Sequence, residues 1–203
     1  MTFVVSGMLW QRSLVMMDKE TESLWSHLLG KCMDGELKGT VLKTLPGSLT
    51  DWESWKEKYP ETKVLLMRRT AQSFTREMYT DLRHFVAGMS DGKNSKAWSF
   101  ADLKDNPIIN DTFADQPVVV VFDKKSSTPF VFDCRVDGVA LTFAEENGKY
   151  VDKQTGSEWD LEYGVGTEGS MKGKKLKPLV VISSFSRAWS NFHPESEYWI
   201  PEE

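Results

Sequence analysis

The sequence has no long hydrophobic run. No stretch of its 203 residues approaches the roughly 18 consecutive apolar residues that a membrane-spanning helix requires, so we expect no membrane span. The apolar segment 1–10 has neither the basic segment before it nor the small-residue cleavage site after it that mark a signal peptide. We therefore expect these first residues to belong to the folded protein.

Cysteine and histidine are scarce. Cys32 and Cys134 cannot build a disulfide framework and form no Cys-x-x-Cys motif, and we expect them not to be bonded to each other. Cys134 alternates with Phe130 and Phe132, which predicts a buried structural thiol. The sequence therefore predicts no cofactor, and it predicts no metal site unless distant residues converge. The histidines lie far apart and form no metal-binding pattern: His27, His84 and His193.

Charge of one sign is not in large excess, since 25 Lys and Arg face 30 Asp and Glu, a net charge of -5. The basic run 172–177 has no aromatic residues between its lysines, so it predicts a solvated surface and not a nucleic-acid interface. A hydrophobic content of 40% excludes a disordered chain. No Ser-His-Asp elbow or paired-carboxylate pattern stands out, so catalytic residues are unknown and the sequence favours a role without catalysis.

The most informative feature that is present is an internal repeat. The segment 18–25 returns as 152–159, an offset of 134 residues. An ungapped comparison of 18–64 with 152–198 gives 15 identities in 47 positions, far more than chance would give. A period of this length predicts two lobes of similar topology and excludes a solenoid of short repeats.

Each unit is predicted to be mostly strand with one short helix. The β-branched segment 117–122 predicts a buried strand, and Asp137-Gly138 between two apolar runs predicts a hairpin. Thr50 and Glu53 form a capping box for the helix of the first unit, and Ser184 is the expected cap in the second. The expected fold class is therefore α+β, mainly β, with two similar lobes, each a small antiparallel or mixed sheet with a short C-terminal helix.

The repeat suggests domain boundaries. We assign a first lobe to 1–67, a helix and linker to 68–95, and a second lobe to 96–203. The linker contains a predicted helix from Phe74 to Val86 and a polar, turn-rich segment at 90–95. The second unit begins with a stretch, about 95–143, that has no counterpart in the first.

We therefore expect the first sheet to begin with an edge strand, from Thr2 to Val5, that has no neighbouring strand on its outer side. An uncovered strand edge exposes unpaired amides and apolar side chains. We expect self-association or upstream residues to cover this edge.

One quartet of side chains occurs in each unit. The residues are Asp18, Thr21, Ser23 and Trp25 in the first unit, and Asp152, Thr155, Ser157 and Trp159 in the second. One hypothesis makes each quartet a polar ligand-binding pocket. The other makes it a self-bonded turn followed by a core Trp, because Asp and Thr readily bond nearby backbone amides.

Tryptophan is abundant, with eight residues. Four recur at the offset of the repeat and predict core positions: Trp25, Trp55, Trp159 and Trp189. Four do not recur and are candidates for an exposed aromatic surface: Trp10, Trp52, Trp98 and Trp199. Such a surface could meet a sugar, a peptide or another protein.

Several segments together resemble a largely bacterial and archaeal family known as domain of unknown function 3179. The similarity covers most of the chain, and the block Thr21-Glu-Ser-Leu-Trp-Ser26 is its most specific part. The segments are 3–10, 15–26, 35–42, 52–60, 96–103, 109–111 and 185–194.

The resemblance implies more about fold and location than about activity. Members of the family usually carry a signal or lipoprotein segment, which implies a periplasmic or extracellular location. They commonly hold a Cys-Pro-Leu-Cys segment after the strand that precedes the Thr-Phe block. In the second unit this place is occupied by 122–125 and contains no cysteine, so thiol or metal chemistry through such a pair does not carry over.

Two hypotheses for function follow. The first is a non-catalytic binding or scaffold protein that uses a cleft between the lobes or an aromatic surface. The second is the remnant of an extracytoplasmic thiol-redox or metal-dependent enzyme whose cysteine segment lies upstream of Met1.

Overall fold

The protein is built mainly of short strands. The computed structural model describes residues 1–47, 49–64 and 81–201. Among these residues the helices are α1 (Trp52–Lys58), α2 (Phe100–Asp105) and α3 (Ser186–Phe192), with a 3-10 turn at Leu82–His84. The strands are β1 (Phe3–Trp10), β2 (Ser13–Asp18), β3 (Leu24–Ser26), β4 (Lys31–Asp34), β5 (Phe85–Ser90), β6 (Ser95–Ser99), β7 (Ile108–Phe113), β8 (Gln116–Asp123), β9 (Thr128–Asp133), β10 (Arg135–Val136), β11 (Val139–Ala140), β12 (Phe143–Glu146), β13 (Lys149–Asp152), β14 (Glu158–Asp160), β15 (Val165–Gly166), β16 (Lys177–Pro178), β17 (Ile182–Phe185) and β18 (Glu197–Tyr198). This content confirms the predicted α+β, mainly β class.

Hydrogen bonds arrange the strands of the described residues in four sheets of four strands and one separate hairpin, β10-β11. Two sheets are antiparallel meanders, β1-β2-β3-β4 and β12-β13-β14-β15. The third has the order β16-β9-β8-β7. The fourth has the order β17-β5-β6-β18, and in it β18 pairs in parallel with β6.

From β2 and β13 onward the two meanders and the segments that follow them match at the offset of 134 residues. The first strands have the same register, Phe3 with Asp18 and Phe143 with Asp152, at an offset of 140. After each meander a single bridge closes the next loop, and each helix is followed by a hydroxyl that accepts a hydrogen bond from an indole. The bridges are Lys31↔Val41 and Val165↔Lys175. The indole bonds are Trp55 Nε1 to Thr62 Oγ1 (3.0 Å) and Trp189 Nε1 to Ser196 Oγ (2.9 Å). The two units therefore share strand order, loop closure and helix, as the repeat predicts.

Strand β8 lies at the centre of the core because both of its faces are covered. Val118, Val120 and Phe122 belong to one buried cluster. Val119 and Val121 belong to the cluster on the opposite face. A strand that is buried on both faces has apolar residues at successive positions, as segment 117–122 does. The buried strand predicted there is confirmed.

The hairpin predicted at Asp137-Gly138 is confirmed. Val136 pairs with Val139 across the turn, which places β10 beside β11. Asp137 has φ 50° and Gly138 has φ 84°. Positive φ at both central residues is the requirement of a type I′ turn, and Asp-Gly meets it at low cost.

The helix predicted from Phe74 to Val86 is wrong at its C-terminal end, and residues 74–80 lie outside the described part of the chain. Phe85 and Val86 begin strand β5, which is buried from Phe85 to Met89 and pairs with β6 and β17. Burial between two strands outweighs the weak helical periodicity here. The predicted linker 90–95 is the turn from β5 to β6. The division of the chain at 1–67, 68–95 and 96–203 stays a prediction.

Both predicted helix caps are displaced by one residue. The N-cap of α1 is Asp51, whose carboxylate accepts the Ser54 N–H, and not Thr50. The N-cap of α3 is Phe185, and Ser184 lies in β17. The N-cap of α1 is Asp51 and not Thr50 because Asp is a stronger N-cap residue than Thr.

Both thiols are buried and free, which confirms that Cys32 and Cys134 are not bonded to each other. Cys134 shares a cluster with Phe132, and Phe130 packs against that cluster, as their alternation predicts. Burial, together with the nearby charge of Asp133, raises the pKa of Cys134 to about 12. The structural reading of this thiol is therefore supported.

We expect neither thiol to react with the disulfide reagent DTNB in the folded protein at pH 8. The thiolate is the reactive form, and the raised pKa keeps Cys134 protonated while burial shields Cys32. Unfolding in guanidinium chloride should release both thiols for titration. A full equivalent titrated rapidly in the folded state would contradict this expectation.

Candidate functional site

The first quartet closes the turn between β2 and β3 around the carboxylate of Asp18. Trp25 Nε1 donates to Asp18 Oδ2 at 2.8 Å, and the Thr21 N–H donates to Asp18 Oδ1 at 2.7 Å. Thr21 Oγ1 lies 2.9 Å from Asp18 Oδ1 and 2.7 Å from Ser23 Oγ. Ser23 Oγ in turn accepts the Leu37 N–H at 3.2 Å. The four side chains thus form one connected network.

The second quartet repeats this network between β13 and β14. Trp159 Nε1 donates to Asp152 Oδ2 at 2.9 Å, and the Thr155 N–H donates to Asp152 Oδ1 at 2.6 Å. Thr155 Oγ1 lies 2.8 Å from Asp152 Oδ2 and 2.7 Å from Ser157 Oγ. Ser157 Oγ accepts the Met171 N–H at 3.1 Å. The repeat therefore preserves geometry and not only sequence.

Both carboxylates are withdrawn from solvent, with exposed fractions of 0% for Asp18 and 1% for Asp152. Burial by itself raises the pKa of Asp18, but hydrogen bonds from Trp25 and Thr21 outweigh it and hold the pKa below its ordinary value. A buried charge persists only when donors surround it in this way. The structure thus brings all eight predicted site residues together as two internally bonded turns, and a ligand-binding role for them stays a prediction.

A glycine packs closely against the serine of each quartet. A Cβ added at Gly35 would lie 2.7 Å from Ser23 Oγ, and one added at Gly169 would lie 2.6 Å from Ser157 Oγ. Both glycines also have positive φ, 97° and 84°. Close approach and backbone conformation together explain why glycine recurs here.

The burial of the tryptophans differs from the prediction at one position. Trp25, Trp159 and Trp189 are buried as expected, and Trp55 is half-buried. Trp98 was expected on an exposed surface, and this is wrong, because it is completely buried in the inner strand β6. Its Nε1 donates to Asp111 Oδ2 at 2.9 Å, so a carboxylate accepts the N–H of this buried indole, as in the two quartets.

The other three non-recurring tryptophans do not form one surface. Trp52 is 50% exposed on α1. The ring of Trp10 lies 4.9 Å from that of Phe192, measured between centroids. Trp199 packs against the cluster on one face of β8. No single aromatic patch therefore emerges from this set.

A cleft of about 590 Å³ lies between α1 of the first unit and the β8–β9 turn of the second. Five aromatic rings and five charged groups line it. The rings are those of Trp55, Tyr59, Phe130, Phe132 and Tyr163. The charged residues are Glu57, Lys58, Asp123, Lys125 and Glu162. Concave shape combined with converging polar groups is typical of a small-molecule site.

Lys58 reaches across this cleft from α1. Its Nζ donates to Glu162 Oε2 at 3.1 Å and lies 3.9 Å from the ring centre of Tyr163 and 5.4 Å from that of Phe130. Burial by itself lowers the pKa of Lys58, but the bond to Glu162 outweighs it and raises the pKa above its ordinary value. The cleft therefore holds a charged ammonium between a carboxylate and two aromatic faces.

The remaining charges leave one carboxylate of the cleft without a direct ion pair, although the charge of Lys125 interacts with it at longer range. Lys125 Nζ pairs with Glu57 Oε2 at 2.5 Å. Asp123 accepts the Lys125 N–H at 2.9 Å and the Ser126 N–H at 3.3 Å, but within the described ranges no ammonium or guanidinium pairs with it. The cleft consequently retains one negative charge, on Asp123.

A wider groove, of about 1340 Å³, runs between the β1–β2 turn and the loop after β3 on one side and the segment β17–α3 on the other. Its lining includes the apolar residues Leu14, Leu45 and Phe192. His193 also lines it, with an Nε2 atom that is buried and has no hydrogen-bond partner in the described residues, and burial lowers the pKa of this imidazole. Its charged lining residues are mainly basic, with Arg12, Lys31 and Lys43 beside the single carboxylate of Asp91.

The part of the chain that the structure describes contains neither a cluster of metal ligands nor a membrane-spanning helix. No three His, Cys, Asp or Glu side chains there come together in a way that could hold a metal ion. In the same residues no helix combines the length and the apolar character needed to cross a bilayer. The lysines of the basic run are exposed, as expected for a solvated face.

Sequence reasoning did not find the residues of the cleft. They come from segments that are far apart along the chain and are not related by the offset of the repeat. The one signal for them is the pair Asp123-Lys124, which echoes Asp18-Lys19 and Asp152-Lys153.

Replacing Trp159 by Phe should lower the free energy of unfolding by about 1–3 kcal/mol, because the buried Asp152 loses its indole donor while the core keeps an aromatic ring. Chemical denaturation would measure the change. The matched control is Trp52→Phe, since Trp52 is half exposed and should be nearly neutral. Equal effects of the two substitutions would contradict the role assigned to the carboxylate–indole bond.

Comparison with family models matches residues 1–84 and 75–196 to the family described as protein of unknown function (DUF3179). The two matches meet at residues 75–84, between the two units. No curated protein and no solved structure matches the chain. Two consecutive matches to one family account for nearly the whole sequence, and the chain belongs to the DUF3179 family.

Proposed function

We propose that this protein is a non-catalytic binding protein that takes a small ligand in the cleft between α1 and the β8–β9 turn. The observation that carries the proposal is the lining of the cleft, where five aromatic rings lie beside fixed charged groups. Aromatic rings supply contact area, and fixed charges supply orientation and specificity.

The charge arrangement of the cleft supports binding. The two ammoniums are held by glutamates, Lys58 by Glu162 and Lys125 by Glu57. Such pairing fixes the walls before a ligand arrives, which reduces the ordering cost of association. The same pairs join the first unit to the second across the cleft, so ligand binding would also hold the two units together.

The alternative, a remnant of a thiol-redox or metal-dependent enzyme, draws no support from the described residues. Both thiols are buried, and the high pKa of Cys134 disfavours its reactive form. That alternative depends on a cysteine segment outside the 203 residues. An extracytoplasmic location, implied by the family resemblance, stays a prediction.

We also propose that a second copy of the chain covers the edge of β1. In the second unit the Asn110 side chain caps the equivalent edge, because its Nδ2 donates to the Phe143 carbonyl at 2.8 Å and its Oδ1 accepts the Phe143 N–H at 2.7 Å. By the same register Phe3 turns its N–H and carbonyl outward, with Val5 64% exposed beside it. A strand with free amides and apolar side chains favours pairing with another chain.

The cleft proposal predicts where fragments bind. In a ligand-observed NMR screen of small aromatic and polar compounds, we expect hits whose binding is weakened by Tyr163→Ala, because Tyr163 forms an exposed wall of the cleft. Tyr198→Ala is the matched control, since Tyr198 is also exposed but lies on β18. Hits that bind both variants as well as the unmodified protein would contradict the proposal.

The edge proposal predicts concentration-dependent association. Light scattering should show a dimer that dissociates on Val5→Lys, because a charge on the edge opposes strand pairing. Ile200→Lys provides the control, since Ile200 is 77% exposed and lies outside the strands. A protein that remains monomeric at every concentration would refute the edge proposal.

A further inference from the structure

The β8–β9 turn is a third copy of the quartet turn. Its sequence shares an Asp-Lys pair, then a hydroxyl residue three positions after the Asp and another two positions later. The three segments are Asp18-Lys-Glu-Thr-Glu-Ser23, Asp123-Lys-Lys-Ser-Ser-Thr128 and Asp152-Lys-Gln-Thr-Gly-Ser157. The middle segment is not related to the others by the repeat of 134 residues.

The backbone of the third turn also agrees with the other two. Asp123 pairs with Thr128 across the turn, as the Asp18 N–H pairs with the Ser23 carbonyl. The fourth residue after each Asp has positive φ. These residues are Glu22 (57°), Ser127 (53°) and Gly156 (69°).

The hydroxyl network is likewise preserved. Ser126 Oγ donates to Asp123 Oδ2 and lies 2.7 Å from Thr128 Oγ1, the same separation as between Thr21 and Ser23. The Thr128 hydroxyl bonds the Leu49 carbonyl of the first unit at 3.1 Å. Sequence spacing, backbone conformation and side-chain bonds therefore all identify one turn used three times.

The third turn differs in the residue that completes the network. Seven positions after the Asp, the other turns place an indole, Trp25 or Trp159, whose N–H bonds the carboxylate. The third places Phe130, which has no donor. Asp123 is correspondingly only partly buried, unlike Asp18 and Asp152, and lines the cleft together with Phe130.

One cation already contacts the aromatic rings of the cleft. The Lys58 ammonium lies against Tyr163 and within 5.4 Å of the Phe130 ring centre, with Glu162 as its counter-ion. Asp123 is the cleft carboxylate that makes no direct ion pair in the described chain, and the ammonium nearest to it, that of Lys125, is bonded to Glu57. A charged N–H donor on a compact apolar body would satisfy both Asp123 and the exposed ring faces.

We infer that Asp123 and Phe130 form the recognition subsite for the ammonium group of a small organic cation. The ligand's N–H group takes the position that the indole N–H occupies in the two complete turns. This inference rests on the proposed binding function of the cleft and names the class of ligand. It differs from that function because it requires a positive charge and one particular carboxylate.

The test uses cyclohexylammonium as the probe and cyclohexanol as its neutral counterpart of similar size. Titration of ¹⁵N-labelled full chain should shift the amide signals of the β8–β9 turn with the cation much more than with the alcohol. Asp123→Asn should weaken the cation at least about tenfold, the loss expected for one charge-assisted hydrogen bond. The matched control is Asp115→Asn, which removes the same charge from an exposed turn at the other end of β8.

A second variant tests the position of the missing donor. Phe130→Trp restores the indole of the complete turns, so the protein should fold normally and lose binding of the cation. Phe130→Leu removes the aromatic face without adding a donor, so it should weaken the cation less than Phe130→Trp does; an equal or greater loss for Phe130→Leu would contradict the role of the donor position. The dispersed amide spectrum of each variant reports folding independently of binding.

The outcomes separate this inference from the proposed function. If both probes shift the cleft signals and Asp123→Asn has no effect, the cleft binds ligands but the cation subsite is wrong. If Phe130→Trp binds the cation as tightly as the unmodified protein, the inference is also overturned. If neither probe shifts any cleft signal while other compounds do, the inference fails and the binding function stands. If no compound shifts them, both fail.

Discussion

A buried carboxylate bonded to an indole organises each unit of this protein. Asp18 and Asp152 are both removed from water, a position that a carboxylate tolerates only when donors surround it. Trp25 and Trp159 supply one donor each, and the ring that carries the donor is itself buried. One interaction therefore fixes the turn, orients the largest core side chain and sets the register of the strands on either side.

The central strand β8 joins the two main clusters of the core. Because both of its faces are covered, the cluster that contains Trp159 and the cluster that contains Trp98 share one sheet. At its C-terminal end β8 runs into the third Asp turn, where the indole is replaced by Phe130. The cleft thus lies at the one Asp turn that has no indole. The carboxylate that is buried in the other two turns is here, as Asp123, in contact with solvent.

Local patterns gave good predictions wherever neighbouring residues decide the structure. The Asp137-Gly138 hairpin and the strand at 117–122 follow from turn chemistry and from β-branched composition, and the repeat gave the matching sheets. The prediction was wrong where distant strands decide, as at Phe85 and Val86, which pairing with β6 and β17 draws into a sheet. Trp98 is a surface candidate in the sequence because it does not recur in the repeat, but Asp111, which accepts its indole N–H, lies in another strand. The cleft is assembled from separated segments, so spacing along the chain could not indicate it.

The closeness of Asp and Trp along the chain has a consequence for the order in which the molecule forms. Each bond joins residues seven positions apart, so the entropy lost in closing the intervening loop is small. Contacts of such low sequence separation form quickly, whereas the pairing of β5 with β17 must bring together segments about one hundred residues apart. The two Asp–Trp turns can therefore form as local nuclei early in folding, before the sheet that joins the middle of the chain to its end.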